Sequence, residues 1–311
     1  GDVYKRQAIP ILHHFEGSPF SEKLRAIFGL KRMSWQSVLI PVALPKPDVV
    51  ALTGGYRKTP VLQIGADIYC DSALIAQVID ELQPEPPLVG NAAMAPMVAA
   101  WADGVLFWQA IMNTQAPEAR ARIYQGMSAQ EIEHMRNDRN AFLRDLRRPS
   151  ATDAAAQMQS ALRSFERSLS QHPWLMGSQP SIADFSVYHC VWFLVRAGVA
   201  DSLLAPWPAV RAWYARILAL GHGQRTDMTS TQALAVAASA GGHAPTEILA
   251  GTDFRRDDEV AVAATDYGKD EVSGTLVGLN HELVTIARRD ARAGLVHVHF
   301  PRLGYEVRRS Q

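Results

Sequence analysis

The spacing of apolar residues changes character twice along this chain, and that constrains the fold more than any single motif. In the first ninety or so residues, strand-like runs alternate with helical stretches. Ile9-Pro10-Ile11-Leu12-His13 suits a strand, and Ser18-Pro19 opens a helical pattern in which Phe20, Leu24, Ile27 and Phe28 share one face. Trp35, Val38, Ile40 and Val42 read as a second strand, followed by a connection rich in proline (Pro41, Pro45, Pro47). Residues 59–64 and 67–70 read as a hairpin turning at Gly65-Ala66, and 72–82 as a helix with Leu74, Ile75, Val78, Ile79 and Leu82 on one face. The order β-α-β then β-β-α predicts a mixed α+β domain over 8–84, closed by the linker Gln83-Pro84-Glu85-Pro86-Pro87.

From Asn91 to about Leu220 every pattern is helical. The stretch 94–115 carries Trp101, Val105, Trp108 and Met112 about one turn apart, and 128–146, 152–171, 181–197 and 208–220 make further amphipathic helices. Ser181-Ile182-Ala183-Asp184 marks a helix start, where the hydroxyl and the carboxylate three residues on serve N–H groups left open in the first turn. An all-helical domain over 91–240 follows. Residues 221–250 are rich in Gly, Ala, Ser and Thr, with one helix-compatible piece from Thr231 to Ala240 and a linker at 241–245. Beyond 250 the period becomes two. Runs at 259–262, 274–277, 282–286, 295–300 and 305–307 predict about five short strands in a small antiparallel sheet or barrel, a third unit over 250–311. No internal repeat is present.

Composition then removes function classes. With 31 Lys+Arg against 31 Asp+Glu, the chain of 311 residues has no global electrostatic drive toward nucleic acid or an anionic membrane. The basic residues near the end, from Arg288 to Arg309, are interleaved with acids and read as a solvated mixed surface. No stretch approaches the ~18 consecutive apolar residues of a membrane span, and no long apolar run of a signal peptide opens the chain. Cys70 and Cys190 lie inside apolar runs and read as inert buried thiols in a reducing cytoplasm. The opening Gly1–Gln7 has no pattern and is read as outside the fold.

One turn could carry chemistry. Ser18 stands directly before a proline at the first helical position, an ordinary N-cap. The same hydroxyl, beside the positive end of a helix, is also placed to hydrogen-bond a thiolate and lower its pKa. Asp71-Ser72 stands at another helix start, where by itself it reads as a plain cap pair. His13 and His14, ending a strand, read as structural. His297 and His299 share one face of a strand, but no third ligand stands at a suitable spacing and no metal site is expected.

The run His14-Phe15-Glu16-Gly17-Ser18-Pro19-Phe20-Ser21, then Lys58-Thr59-Pro60-Val61-Leu62, then Asp71-Ser72, resembles the thioredoxin-like half of cytosolic glutathione S-transferases. Ser181-Ile182-Ala183-Asp184 resembles the helical half of that family, so the resemblance spans about residues 9 to 220. It implies a thioredoxin-like domain, a helical domain, a homodimer and glutathione as co-substrate. Residue by residue, it implies that Ser18 activates the glutathione sulfur and that Thr59, before the family's cis-proline at Pro60, pairs with the cysteinyl backbone. Asp71 and Ser72 would take the γ-glutamyl group, and Lys58 the glycyl carboxylate. Some branches of the family carry Cys at the Ser18 position. This chain has no C-x-x-C and places Ser21 where a second thiol would stand, which disfavours thiol–disulfide and lyase chemistry. The acceptor pocket would be lined by Phe15, Trp101, Trp108 and Met112, for an apolar electrophile or a peroxide. A non-catalytic member of the fold, binding a partner through its terminal β strands, is the rival reading. A glutathione-dependent dehalogenase or isomerase would share the same site.

Overall fold

A computed structural model describes residues 9–144 and 146–310, and the opening stretch read as outside the fold lies outside them. The first unit runs β1 (Ile11–His14), α1 (Pro19–Lys31), β2 (Ser34–Leu39), α2 (Pro47–Thr53), β3 (Val61–Ile64), β4 (Asp67–Cys70) and α3 (Ser72–Leu82). β1 is parallel to β2 and antiparallel to β3, and β3 is antiparallel to β4. The predicted elements are present. The proline-rich connection additionally holds α2, whose seven residues are too few to show a period. Pro47 starts it with a preset φ, and Gly54 at φ 82° ends it in a left-handed turn.

Strand alternation divides the sheet between two cores. Leu12, Leu62, Ile64 and Tyr69 face one apolar cluster with α1, α3 and the helical domain. Ile11, Val61, Ile68 and Cys70 face a second cluster on the other side.

The helical domain comprises α4 (Ala95–Trp101), a π turn (Ala102–Leu106), α5 (Phe107–Met112), α6 (Pro117–Ile123), α7 (Ala129–Phe142), α8 (Ala151–Leu169), α9 (Ile182–Arg196), α10 (Ala200–Leu204) and α11 (Pro208–Leu218). α9 is apolar nearly all round because it is the centre of the domain, packed on α1 and α4. Its start is built on Asp184, which accepts from the backbone N–H of Ser181 (2.9 Å) and Leu175 (2.8 Å) and from Trp213 Nε1 (2.9 Å). The Ser181 hydroxyl donates to the same carboxylate (3.0 Å), so the aspartate carries the cap.

Beyond the helical domain the chain returns to the sheet. β5 (Gln224–Asp227) pairs parallel with β2, and α12 (Ser230–Ala238) packs on α2 and β2. The five terminal strands form as the period-two pattern predicts: β6 (Glu259–Ala264), β7 (Val272–Leu279), β8 (Leu283–Asp290), β9 (Gly294–Pro301) and β10 (Tyr305–Arg309). They make an antiparallel meander in which β10 returns to pair with β6. They do not stand apart. β9 runs parallel to β4, so one sheet extends over ten strands in the order β10-β6-β7-β8-β9-β4-β3-β1-β2-β5. Val260, Leu276, Val298 and Phe300 are buried in the same cluster as Ile11 and Ile68, so the terminal strands and the first unit share a core. No helix among the described residues is long and apolar enough to cross a membrane.

Candidate functional site

Strand register gathers the three motif segments. His13 lies opposite Val61 and Val61 opposite Cys70, so the turn after β1, the residues before β3 and those after β4 leave the sheet at one end. Ser18, Thr59-Pro60 and Asp71-Ser72 converge there, and the Thr59–Pro60 bond is cis.

Ser18 caps α1. Its backbone is extended, its Oγ accepts from the Ser21 N–H (3.2 Å), and Pro19 takes the first helical position. The cap uses a lone pair of the hydroxyl and leaves its proton for another acceptor. The amide dipoles of α1 add about half a positive charge at this end. Two guanidiniums clamp the turn before it: Arg25 donates to the Glu16 carbonyl (3.0 Å) and Arg196 to the Gly17 carbonyl (3.0 Å). A Cβ on Gly17 would lie 2.3 Å from Arg196 Nη1, so a side chain there would push the guanidinium off the Gly17 carbonyl. Arg25 also binds the buried Glu22 (2.7 Å), which accepts from Tyr188 Oη (2.9 Å) and meets His222 Nε2 (3.0 Å). Burial raises the Glu22 carboxyl, but the His222 bond and the Arg25 charge outweigh it and hold the group below the usual range. His13 and His14 are bound within the sheet, to Gln63 and Ser37, and burial pulls them down to about 4 and about 3.

Asp71 caps α3 from a left-handed backbone (φ 79°), accepting from the Ala73 N–H (2.9 Å) through Oδ1 and from Tyr305 Oη (3.2 Å) through Oδ2. Ser72 Oγ accepts from Lys23 Nζ (3.3 Å). Lys23 is fully buried and also binds Asp103 Oδ2 (2.6 Å), whose other oxygen meets His189 Nε2 (2.9 Å). Burial raises the Asp103 carboxyl, yet the Lys23 charge and the His189 bond more than offset it and hold it at about 2. Burial lowers His189 in spite of Asp103. Asp103 sits in the π turn, a device that recurs at functional sites in helices. Sequence reading missed this network because its members come from α1, the π turn and α9. One signal was available: Asp103 is the lone charged residue between Glu85 and Glu118.

Lys58 is engaged elsewhere than the resemblance implies. Its ammonium pairs with Asp266 (2.6 Å) and lies 4.2 Å from the Tyr267 ring, both on the β6–β7 loop. Lys46, also missed, is buried and donates to Thr59 Oγ1 (3.2 Å). Burial pulls it down to about 8, although Asp138 acts the other way.

The pocket candidates divide. Phe15 is half-buried in the turn before Ser18, and Met112 is half-buried at the end of α5. Trp108 is buried between Phe107 and Tyr267, each ring at 5.1 Å, so the β6–β7 loop packs on it. Trp101 is set apart: it is 38% exposed and packs edge-on against Phe165 (6.3 Å). A cavity of about 390 Å³ lined by Arg122, Gln125 and Arg196 lies beside Gly17.

Residues 12–87 match the family model of the glutathione S-transferase N-terminal domain, and residues 117–216 that of the C-terminal domain. A solved GST-like protein from Pseudomonas syringae is 37% identical, aligns over 98% of this chain and 100% of its own, and superposes with a TM-score of 0.81. A glutathione S-transferase from Rhodospirillum rubrum F11 is 19% identical, with a TM-score of 0.52 over 67% of this chain and 87% of its own. The β-etherase LigF of Sphingobium sp. strain SYK-6 is 19% identical, with a TM-score of 0.50 over 68% of this chain and 95% of its own. These last two show the fold alone. No match is found among curated proteins. The terminal strands are thus shared with the Pseudomonas protein, whose alignment runs nearly end to end.

Proposed function

The chain belongs to the glutathione S-transferase superfamily, and on that premise we propose that it is a glutathione transferase in which Ser18 holds the sulfur of glutathione as thiolate. The observation that carries this reading is the Ser18 hydroxyl, capped from below by the Ser21 N–H and free to donate at the positive end of α1. A donated hydrogen bond and an oriented helix both favour the charged form of the thiol. The thiolate attacks an electrophilic carbon; a C–S bond forms and the leaving group departs with its electron pair. On a peroxide the same thiolate attacks one oxygen: an S–O bond forms and the O–O bond breaks. The other oxygen leaves with the electron pair, as an alcohol or water once protonated, and the sulfur is oxidised as the peroxide is reduced.

The remaining roles follow from charge and hydrogen-bonding capacity. The backbone of Thr59, beside Pro60, pairs with the cysteinyl part of glutathione. Asp71 meets the γ-glutamyl ammonium, while Ser72 and the first amides of α3 take its carboxylate, with Lys23 behind Ser72 adding a positive charge. Lys46, beside Thr59, is a better-placed partner for the glycyl carboxylate than Lys58, which Asp266 already holds. Phe15, Trp108 and Met112, with Tyr267 of the β6–β7 loop, border the acceptor side.

Met94, Met97, Trp101 and Val105 form an exposed apolar stripe along α4 and the π turn, which supports a homodimer through that face. Cys70 and Cys190 are free, buried thiols kept protonated by burial, in keeping with a cytoplasmic enzyme.

Retention on immobilised glutathione, with turnover of a model electrophile that is lost in Ser18→Ala, is the expected result. Retention without turnover favours a binding protein of the same fold, and absence of retention overturns the glutathione site.

A further inference from the structure

A second cluster of chemistry-bearing side chains lies at the end of β4 remote from Ser72. β9 runs parallel to β4 with His297 opposite Asp67 and His299 opposite Tyr69, so the side chains at 67, 69, 297 and 299 share one face of the seam. His243, in the irregular segment between α12 and β6, lays its ring parallel on that of His297 with centroids 3.7 Å apart. Its Nδ1 is 3.9 Å from Asp67 Oδ1. One donor atom from each of Asp67, His243 and His297 lies within 4.8 Å of the other two. The Nδ1 atoms of both His243 and His297 are buried and have no hydrogen-bond partner among the described residues.

Buried polar atoms are normally paired, and two orphaned ring nitrogens beside one carboxylate call for an explanation. The parallel stack of His243 on His297 leaves both rings beside the same buried carboxylate.

We propose that Asp67, His243 and His297 form a binding site for a divalent transition-metal ion, with zinc the best match. Two imidazoles and one carboxylate are a borderline donor set that suits zinc and other late divalent ions and disfavours calcium or magnesium, which take oxygen ligands. His299 completes the arrangement. Its Nδ1 accepts from Thr285 Oγ1 (3.0 Å), which leaves Nε2 to donate to Asp67 Oδ1 (2.8 Å) and orient the carboxylate. Binding needs one motion. Parallel rings cannot both aim a lone pair at one ion, so the His243 ring turns out of the stack. It sits in an irregular segment that permits this, whereas His297 is held in the ladder. The bound ion joins the linker before β6 to the seam between β4 and β9. The structure thereby supplies from β4 and the linker the ligands that the spacing of His297 and His299 did not.

The test uses the full chain, freed of metal by a chelator and titrated with Zn²⁺ by calorimetry and with Co²⁺ by visible absorption. One ion per chain is expected, with ligand-field bands of a four-coordinate site and a melting temperature that rises with Zn²⁺. His243→Gln weakens binding at least ~10-fold, the loss typical even of an outer partner, and leaves retention on glutathione unchanged. His297→Gln does the same, and if it fails to fold, His243→Gln decides alone. No binding up to millimolar ion, or unit-stoichiometry binding that survives His243→Gln, overturns the proposal.

Discussion

Two aspartates mark the ends of β4, and the terminal strands reach both. Four strand positions separate them by roughly 13 Å. Asp71 receives the hydroxyl of Tyr305 from β10, and Asp67 the ring of His299 from β9. Around Asp71 the neighbours keep capacity in hand: Ser18 has a proton to give, and Lys46 has one hydroxyl beside it. Around Asp67 the groups are turned inward on a seam, and what is left over is two imidazole nitrogens. On the proposed reading one end meets an organic ligand, while the other joins two parts of the chain. The added strands border the first and complete the second.

The largest expected effect tests whether the ligand end has its own internal support. Asp103→Ala leaves the fully buried Lys23 without its carboxylate, and removing one partner of a buried pair costs about 3–5 kcal/mol. Thermal unfolding should show a loss of that order, and a stable Asp103→Ala protein would mean that the network is incidental. Ser18→Ala comes next. Loss of one preorganised donor lowers turnover by about 10²–10³-fold, while the lost cap costs only about 1 kcal/mol of stability. Steady-state kinetics alongside a melting curve separates the two, and near-normal turnover would break the contrast between the ends of β4.

Acid unfolding sharpens the comparison further. Asp103 is depressed in the fold, so its contribution is present above its unfolded value near 3.8 and is lost as pH falls from about 4 toward about 2. Asp103→Asn should flatten the stability profile over that window, as read by denaturation at each pH. Tyr305→Phe removes one hydrogen bond to Asp71, worth about 0.5–1.5 kcal/mol. The KM for glutathione should rise up to about 10-fold with kcat unchanged, and an unchanged KM would confine the terminal strands to the seam. Lys58→Met should do least, because its partly exposed pair with Asp266 is worth about 0–1 kcal/mol. Less than a twofold change in glutathione KM is expected.

What could be read from the sequence was whatever local chemistry encodes. Ser18-Pro19 and Asp71-Ser72 are contiguous with the helices they start, and their meaning survives without a partner. The five terminal strands announced themselves by alternation. β5 did not, because Gln224–Asp227 is polar and exposed and has no apolar period. The Lys23–Asp103–His189 network and the Asp67–His243–His297 cluster each draw on elements far apart in sequence, and a lone charge such as Asp103 in an apolar stretch does not name its partners. The terminal segment read as a third unit because alternation shows that strands form but not which edge they join. That edge is β4, chosen by an apolar face shared with Ile11 and Ile68.

The pairing of β4 with β9 has a consequence for how the protein is made. Asp67 and His299 are 232 residues apart, and at about 5–20 residues per second a ribosome needs roughly 10–50 s to pass from one to the other. During that interval the open edge of β4 offers unpaired backbone groups beside Ile68 and Cys70, the kind of edge that recruits strands from other chains. The order of synthesis therefore leaves the nascent chain with an adhesive flank for tens of seconds, until β9 emerges.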